Sequence, residues 1–284
     1  MRRGVFMLFA KEPVPGRVKT RLMPPLTPEE ASALHEGFVE DMLVALALAG
    51  GQRNDVEIHT DPAPPDAPRL RRLAMLGGGR GAETEMDTAQ EDGSAAGRTI
   101  LHPQVGASLG ERLFRAFDRA QAEGRRYAIA IGADHPSLRA GAFVALANAL
   151  EAGRDAAIIP SLDGGYCALG LARPRWDYFA GVPWSTPRVL EATLARLHSS
   201  GIEPHLFEPC CDIDVPGDLE RLAREIAARD PNEADFPRRT ARALAALGSK
   251  ALPSLGGAAR PLQEPAWRPG VTSLAYPSEK GVVR

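Results

Sequence analysis

Cysteine is scarce: Cys167 and the adjacent Cys210 and Cys211 are the only three in 284 residues. Three are too few for the disulfide framework of a small secreted domain, and their spacing matches no zinc set, so a reducing cytoplasm is the expected setting. An excess of either charge is lacking as well. With 34 Lys and Arg against 36 Asp and Glu, the chain has no general basic field to draw in nucleic acid or anionic lipid, and neither partner is expected. Long apolar runs are also missing. Arg2 and Arg3 precede the apolar residues 5–10, but Lys11 and Glu12 end that run without the cleavage site of a secretory signal. No uncharged stretch approaches the roughly 20 residues of a membrane span. Any positive site must therefore be local.

Such a site is present. Residues 5–10 read as a strand that empties into Lys11-Glu12-Pro13-Val14-Pro15-Gly16-Arg17-Val18-Lys19-Thr20-Arg21. A strand, a loop of Pro, Gly and cations, and then a helix gather positive charge and backbone N–H groups at one point of a sheet edge, which suits a polyphosphate. The helix start is explicit: Thr27 at the N-cap, Pro28 at the first helical position and Glu30 where a capping box needs its carboxylate. Ala31, Leu34, Phe38, Met42, Ala45 and Ala49 then recur at helical spacing.

The rest of the chain alternates strands and helices. Residues 55–60 read as a strand closed by Pro62, Pro64, Pro65 and Pro68, and 70–76 as a short helix. From Gly77 to Gly97 little can be buried, so that stretch reads as an exposed insertion; its Gly77-Gly78-Gly79-Arg80-Gly81 tract lacks the preceding strand and following helix of a nucleotide loop. Residues 99–103 read as a strand, and Ser108-Leu109-Gly110-Glu111 opens a helix carrying Leu113, Phe114, Phe117 and Ala120. Residues 127–136 form a continuous apolar strand ending on Asp134, followed by a helix over 137–152 and a strand over 155–160. The turn Asp163-Gly164-Gly165 leads into a strand over 166–171, in which Cys167 reads as packing. After irregular residues 176–183, Thr186-Pro187 opens a helix to 199, residues 203–209 form a last strand, and a helix beyond Gly217 runs to 229. Apart from a helix over 240–247, the chain past Pro231 is rich in Pro and Gly, with Trp267 and Tyr276 available as anchors. The expected organisation is an α/β domain over 1–230, with a doubly wound, mostly parallel sheet and helices on both faces, and a Pro/Gly-rich extension over 231–284.

Ligands of such sheets bind beyond the carboxyl ends of the strands, where the basic loop, Asp134 and the Asp163 turn can converge. Asp134 either caps the helix that follows or faces this site. Asp214, two residues before Pro216, has the same two readings, and Asp212 shares its doubt. Carboxylates from mid-chain and from near the end of the domain, facing a basic loop, provide hard oxygen ligands for a metal and cations for a phosphate tail.

Taken together, the motifs 9–22, Gly132-Ala133-Asp134-His135-Pro136, Asp163-Gly164-Gly165-Tyr166, Trp184-Ser185 and Asp212-Ile213-Asp214-Val215-Pro216-Gly217-Asp218-Leu219 resemble the DUF2064 family. That family belongs to the nucleotide-diphospho-sugar transferase (GT-A) superfamily and is similar to the phospholactate guanylyltransferases of cofactor F420 synthesis. The resemblance runs from about Arg3 to Arg229 and leaves His135, the insertion and the tail outside the shared pattern. It implies a GT-A-like fold in which Lys11, Gly16, Arg17, Lys19 and Arg21 bind the nucleotide. Asp134 and Asp214 would hold Mg2+ or Mn2+, and Asp163, Gly164, Gly165 and Trp184 would face the acceptor. The implied reaction is attack of an acceptor phosphate or hydroxyl on the α-phosphorus of a nucleoside triphosphate, with pyrophosphate leaving and Lys19, Arg21 and Asp134 in the catalytic roles. The alternatives are a glycosyltransferase using a sugar nucleotide, with Asp212 and Asp214 as its Asp-x-Asp, and a catalytically idle nucleotide-binding module. The expected partners are a nucleotide and a small acceptor; oligomeric state has no signature in the sequence.

Overall fold

Strand β1 (Gly4–Lys11) is apolar until its last residue because both of its faces are covered: Val5 and Met7 enter one core, Phe6 and Leu8 the other. Strand β4 (Ala128–Gly132) divides in the same way, with Ala128 and Ala130 on one side and Ile129 and Ile131 on the other. In the computed structural model, which describes residues 3–51, 53–63, 66–77 and 99–248, these strands are the centre of a seven-stranded sheet. Its other members are β2 (Asn54–Asp61), β3 (Ile100–Pro103), β5 (Ala156–Pro160), β6 (Tyr166–Leu171) and β7 (His205–Leu206), in the order β3-β2-β1-β4-β6-β5-β7. Only β6 runs antiparallel to its neighbours, so the sheet is mostly parallel, as the alternation of elements predicts.

Helices cover both faces. On one lie α1 (Pro28–Gly50), α2 (Pro68–Gly77) and α4 (Ala140–Glu151), whose Met42, Leu46, Leu70, Phe143 and Leu146 pack on Phe6, Leu8 and Ile129. On the other lie α3 (Leu109–Ala122) and α5 (Val189–Ser199), with Phe117, Leu190 and Leu194 against Met7 and Ile158. At about 35 Å, the 23-residue α1 is long enough to serve a second cluster as well. Its N-terminal Leu34 and Phe38 meet Leu219 and Leu222 of α6 (Pro216–Ala227) and Leu244 of α7 (Arg238–Leu247). Helix α7 is tied down by Asp41, which accepts from Arg239 N and Thr240 N at 3.1 and 2.7 Å. Residues 238–247, in the stretch read as an extension, thus pack on the domain.

The Thr27 capping box forms as expected, with Glu30 N and Thr27 N each bonded to the other residue's side chain. Several boundaries differ from expectation, β4 closing at Gly132 rather than running to 136 among them, and three have a visible cause. Helix α4 starts at Ala140 rather than 137 because Asp235 Oδ2 accepts from Ala140 N at 2.7 Å. Helix α5 starts at Val189 because Thr186 is used in a local turn, its Oγ1 accepting from Arg188 N. The strand expected over 203–209 shrinks to His205–Leu206, since Pro204 and Pro209 offer no ladder donor. The reading of Cys167 as packing alone is also corrected. The sheet order brings it to Cys210, 43 residues away, and the two sulfurs are bonded. The insertion beyond Gly77 with its glycine tract, and the tail with Trp267 and Tyr276, lie outside the described residues. Among the described residues no helix is long and apolar enough to cross a membrane.

Candidate functional site

From β1 the chain moves outward through β2 and β3, then returns to β4 on the opposite side of β1. Connections that leave in opposite directions open a crevice at the carboxyl ends of β1 and β4. The register pairs Phe9 with Gly132, so the basic loop and Asp134 leave the sheet side by side.

The loop is firmly held. Glu12 is buried and accepts from Arg69 N and Leu70 N at 2.9 and 3.1 Å, giving the first turn of α2 its acceptor. Ser32 Oγ and Arg69 Nη1 both donate to the Pro13 carbonyl, at 2.8 and 2.7 Å. Arg17 N closes a turn on Val14 O at 3.0 Å, with Pro15 and Gly16 at its centre; Gly16 has φ 76°, which glycine tolerates best. Lys19 then adopts the left-handed conformation at φ 49° without being glycine, a strain of order 1–3 kcal/mol that the surrounding contacts must hold.

Those contacts are electrostatic. The Lys19 side chain is only 5% exposed, and its Nζ lies 2.8 Å from Asp134 Oδ1 and 3.3 Å from Asp214 Oδ1. It also donates to Ile213 O at 2.6 Å and sits 5.6 Å above the Phe38 ring. Asp134 Oδ1 is buried, while 42% of the side chain as a whole remains open. Burial alone would push the Asp134 carboxyl up, but Lys19, then His35 and His135, bring it down to about 2. His35 Nε2 lies 3.0 Å from Lys11 O and, facing a carbonyl, must donate; its Nδ1 lies 3.7 Å from Asp134 Oδ1. Burial lowers the His35 pKa, opposed by Asp134. Arg21 Nη1 approaches Asp214 Oδ2 at 3.7 Å from a largely exposed position.

These groups surround a cavity of about 400 Å³, within the range of small-ligand sites. Lys11, Arg17, Lys19, Arg21, Asp134 and Asp214 all line it. Among the described residues Lys11 and Arg17 have no carboxylate partner, so their charges are available. Phe9 and Leu109 line it as well, from stretches the sequence already marks; His35 and Gln104, also in the lining, were not singled out from the sequence. Gln104 is fixed by donating to His59 O at 2.9 Å. Gly16 forms the turn behind the lining residues. The Asp163 turn lies outside the lining: Asp163 Oδ1 accepts from Gly165 N at 2.9 Å, and Gly164 (φ 91°) lets the Pro187 carbonyl approach. Trp184 covers Gly110, the residue after Leu109, where a Cβ would lie 2.3 Å from its Nε1. It therefore stands one residue behind the cavity wall.

Neither lining aspartate is used as a helix cap. Asp218 Oδ2 takes Asp214 N and Val215 N, both at 2.9 Å, and Asp235 serves α4. Asp212 turns the other way, to Ser161 Oγ and towards His135 Nδ1 at 3.5 Å. Two hard carboxylates with open faces, already sharing one cation, suit a divalent ion.

Residues 71–186 match the model of a family described as "Uncharacterized protein conserved in bacteria (DUF2064)". The matched stretch includes Asp134, the Asp163 turn and Trp184; the basic loop and Asp214 lie outside it. No curated protein matches the chain in sequence. Among solved structures, a candidate nucleotide-diphospho-sugar transferase from Desulfovibrio desulfuricans is 25% identical with a TM-score of 0.71, over 88% of this chain and 97% of that one. Two others are looser. A cytidylyltransferase from Leptospira borgpetersenii is 10% identical with a TM-score of 0.49 over 88% and 97% of the two chains. Rv0371c of Mycobacterium tuberculosis, solved with manganese, is 15% identical with a TM-score of 0.41 over 78% and 97%. Likenesses that loose carry no information about chemistry. The chain thus has a GT-A-like transferase fold and matches DUF2064 across its middle.

Proposed function

We propose that the protein is a divalent-cation-dependent nucleotidyltransferase, joining a nucleoside triphosphate to a small, phosphorylated acceptor with release of pyrophosphate. The observation that carries this reading is the Lys19 ammonium between the Asp134 and Asp214 carboxylates, at 2.8 and 3.3 Å, in a cavity that three further cations reach. Lys11 and Arg17, without carboxylate partners, receive the outer phosphates, and Lys19 and Arg21 the inner ones. An acceptor oxygen attacks the α-phosphorus, the bond to the bridging oxygen breaks, and pyrophosphate leaves with the electron pair. Lys19 and Arg21 stabilise the charge that builds on the bridging and leaving oxygens. A magnesium or manganese ion held by Asp134 and Asp214 would neutralise phosphate oxygens. Phe9, Gln104 and Leu109 supply an apolar wall and an amide for the base and sugar, while Trp184 supports that wall from behind Gly110.

The D. desulfuricans neighbour's description favours one rival, sugar transfer from a nucleotide diphosphate. Against it, an Asp-x-Asp needs both carboxylates on one side, and Asp212 faces Ser161 while Asp214 faces Lys19. The test is a screen of the four nucleoside triphosphates, with and without magnesium, against phosphorylated acceptors, read as pyrophosphate. Pyrophosphate release that requires both metal and acceptor is expected. Release of nucleoside diphosphate from sugar nucleotides instead would establish the rival, and nucleotide binding indifferent to magnesium would leave an idle module.

A further inference from the structure

A second cluster lies on the far side of Asp134. His135 is 3% exposed, and its ring nitrogen and the sulfurs of Cys167 and Cys210 lie within 4.8 Å of one another. His135 Nδ1 is 3.7 Å from Cys210 Sγ and 3.5 Å from Asp212 Oδ1, with the Cys211 carbonyl also at 3.5 Å. The donors come from three places: the turn after β4, the start of β6, and the segment between β7 and α6. None takes part in the reaction proposed above.

A structural disulfide would account for the two sulfurs but leaves the buried imidazole that faces Cys210 Sγ without a purpose. Two thiolates and one imidazole are three of the four donors a tetrahedral site offers a borderline-soft ion, at about 2.3 Å from sulfur and 2.0 Å from nitrogen. The Cα atoms of Cys167 and Cys210 are 6.8 Å apart, at the wide end of the roughly 4.4–6.8 Å a disulfide spans. Side-chain rotation alone can therefore part the sulfurs around an ion. Ser161 Oγ donates to Asp212 Oδ1, which fixes that carboxylate 3.5 Å from His135 Nδ1, where it can orient the ligating ring. In a reducing setting, paired cysteines of this kind more often serve metals than disulfides.

We propose that the reduced protein binds one zinc ion through Cys167, Cys210 and His135, with Asp212 beside the imidazole as an outer-sphere partner, at a site separate from the Asp134 and Asp214 pair and independent of the nucleotidyl reading. A dithiol supplies the two electrons and two protons that open the disulfide, leaving as its own cyclic disulfide. The zinc ion then displaces the two thiol protons to solvent and binds both thiolates.

The experiment uses the full chain reduced with dithiothreitol, desalted without chelator, and titrated with cobalt(II) as a spectroscopic substitute for zinc. The expected result is a thiolate-to-cobalt charge-transfer band with intense tetrahedral visible bands saturating at about one ion per chain, displaced by zinc. Asp134→Asn and Asp214→Asn should keep this spectrum, because an oxygen-only site gives no thiolate band. Cys210→Ser should lose it, and the milder Asp212→Asn should weaken binding about 10–100-fold, a range typical of disturbing a metal ligand's surroundings. The wild-type spectrum needs no variant to fold. All three thiols titrating in the reduced protein with no charge-transfer band would overturn the proposal, as would a disulfide that native-state dithiothreitol cannot open.

Discussion

Replacing Lys19 by Met should convert Asp134 from an unusually acidic carboxyl into one raised by burial, with a penalty that the geometry sets. The folded protein holds this group at about 2 against an ordinary 3.8, with the Lys19 ammonium at 2.8 Å the largest force acting against burial. At 1.36 kcal/mol per pH unit, that depression corresponds to about 2.4 kcal/mol of stability at neutral pH. Because 42% of the side chain is open to water, screening reduces the figure to about 1 kcal/mol. The folded pKa is depressed, so the contribution is complete above 3.8 and is lost as pH falls through 2; about a third of it remains at pH 2.5. Because burial works against Lys19, a double-mutant cycle of Lys19→Met and Asp134→Asn should give a coupling of at least about 1 kcal/mol at pH 7 and about 0.3 kcal/mol at pH 2.5. Calorimetry reads this directly, since a domain of this size shifts by roughly 2–4 °C in Tm per kcal/mol. A pH 7 coupling within the roughly 0.3 kcal/mol of ordinary additivity, or one unchanged at pH 2.5, would refute the ion pair as described.

Three further outcomes are expected. Asp214→Asn should lower the rate of pyrophosphate release about 10²–10³-fold, the size of one lost transition-state contact, while leaving Tm within a few degrees; a loss under tenfold in a steady-state assay counts against its role. Asp235→Ala uncaps α4 and strips buried Arg229 of a carboxylate at 2.6 Å, which should cost about 2 kcal/mol or more. Urea melts should show that loss while magnesium-dependent nucleotide affinity stays unchanged. Gly164→Ala places a Cβ 2.0 Å from the Pro187 carbonyl at φ 91°, so more than about 2 kcal/mol should be lost in the same melts; an unchanged midpoint would mean the turn can relax.

What the sequence makes legible is what it encodes locally. The Thr27 and Glu30 box lies within one turn, and the buried strands announce themselves by continuous apolar runs that alternate between two cores. The start of α4 is hidden because its cap, Asp235, is 95 residues away, so a local reader assigns the duty to Asp134 or to Ser137. His35 escaped notice because it sits within the apolar stripe of α1, next to Leu34 and one turn from Ala31. The usable signal was a titratable residue on a face that otherwise packs. Cys167 and Cys210 meet because the start of β6 and the segment after β7 both pair with the end of β5, an arrangement that local spacing does not specify.

The division of labour among the aspartates explains why the basic loop alone does not define the site. A helix N-terminus attracts the nearest carboxylate, and Asp134 and Asp214 both precede helices. Asp235 and Asp218 instead take those N–H groups, leaving two negative charges directed at one ammonium. Lys19 neutralises one of the two, and Arg21, 78% exposed at 3.7 Å, offsets the other only through screened solvent. The inner cavity therefore retains negative charge that opposes an incoming triphosphate, while Lys11 and Arg17 at its rim attract one. A divalent ion between the carboxylates reverses the inner sign, so that rim and interior favour the same ligand. On the proposed reading the acids would then make phosphate binding conditional on the metal, and this condition would separate an enzyme of this design from a basic loop that merely holds anions.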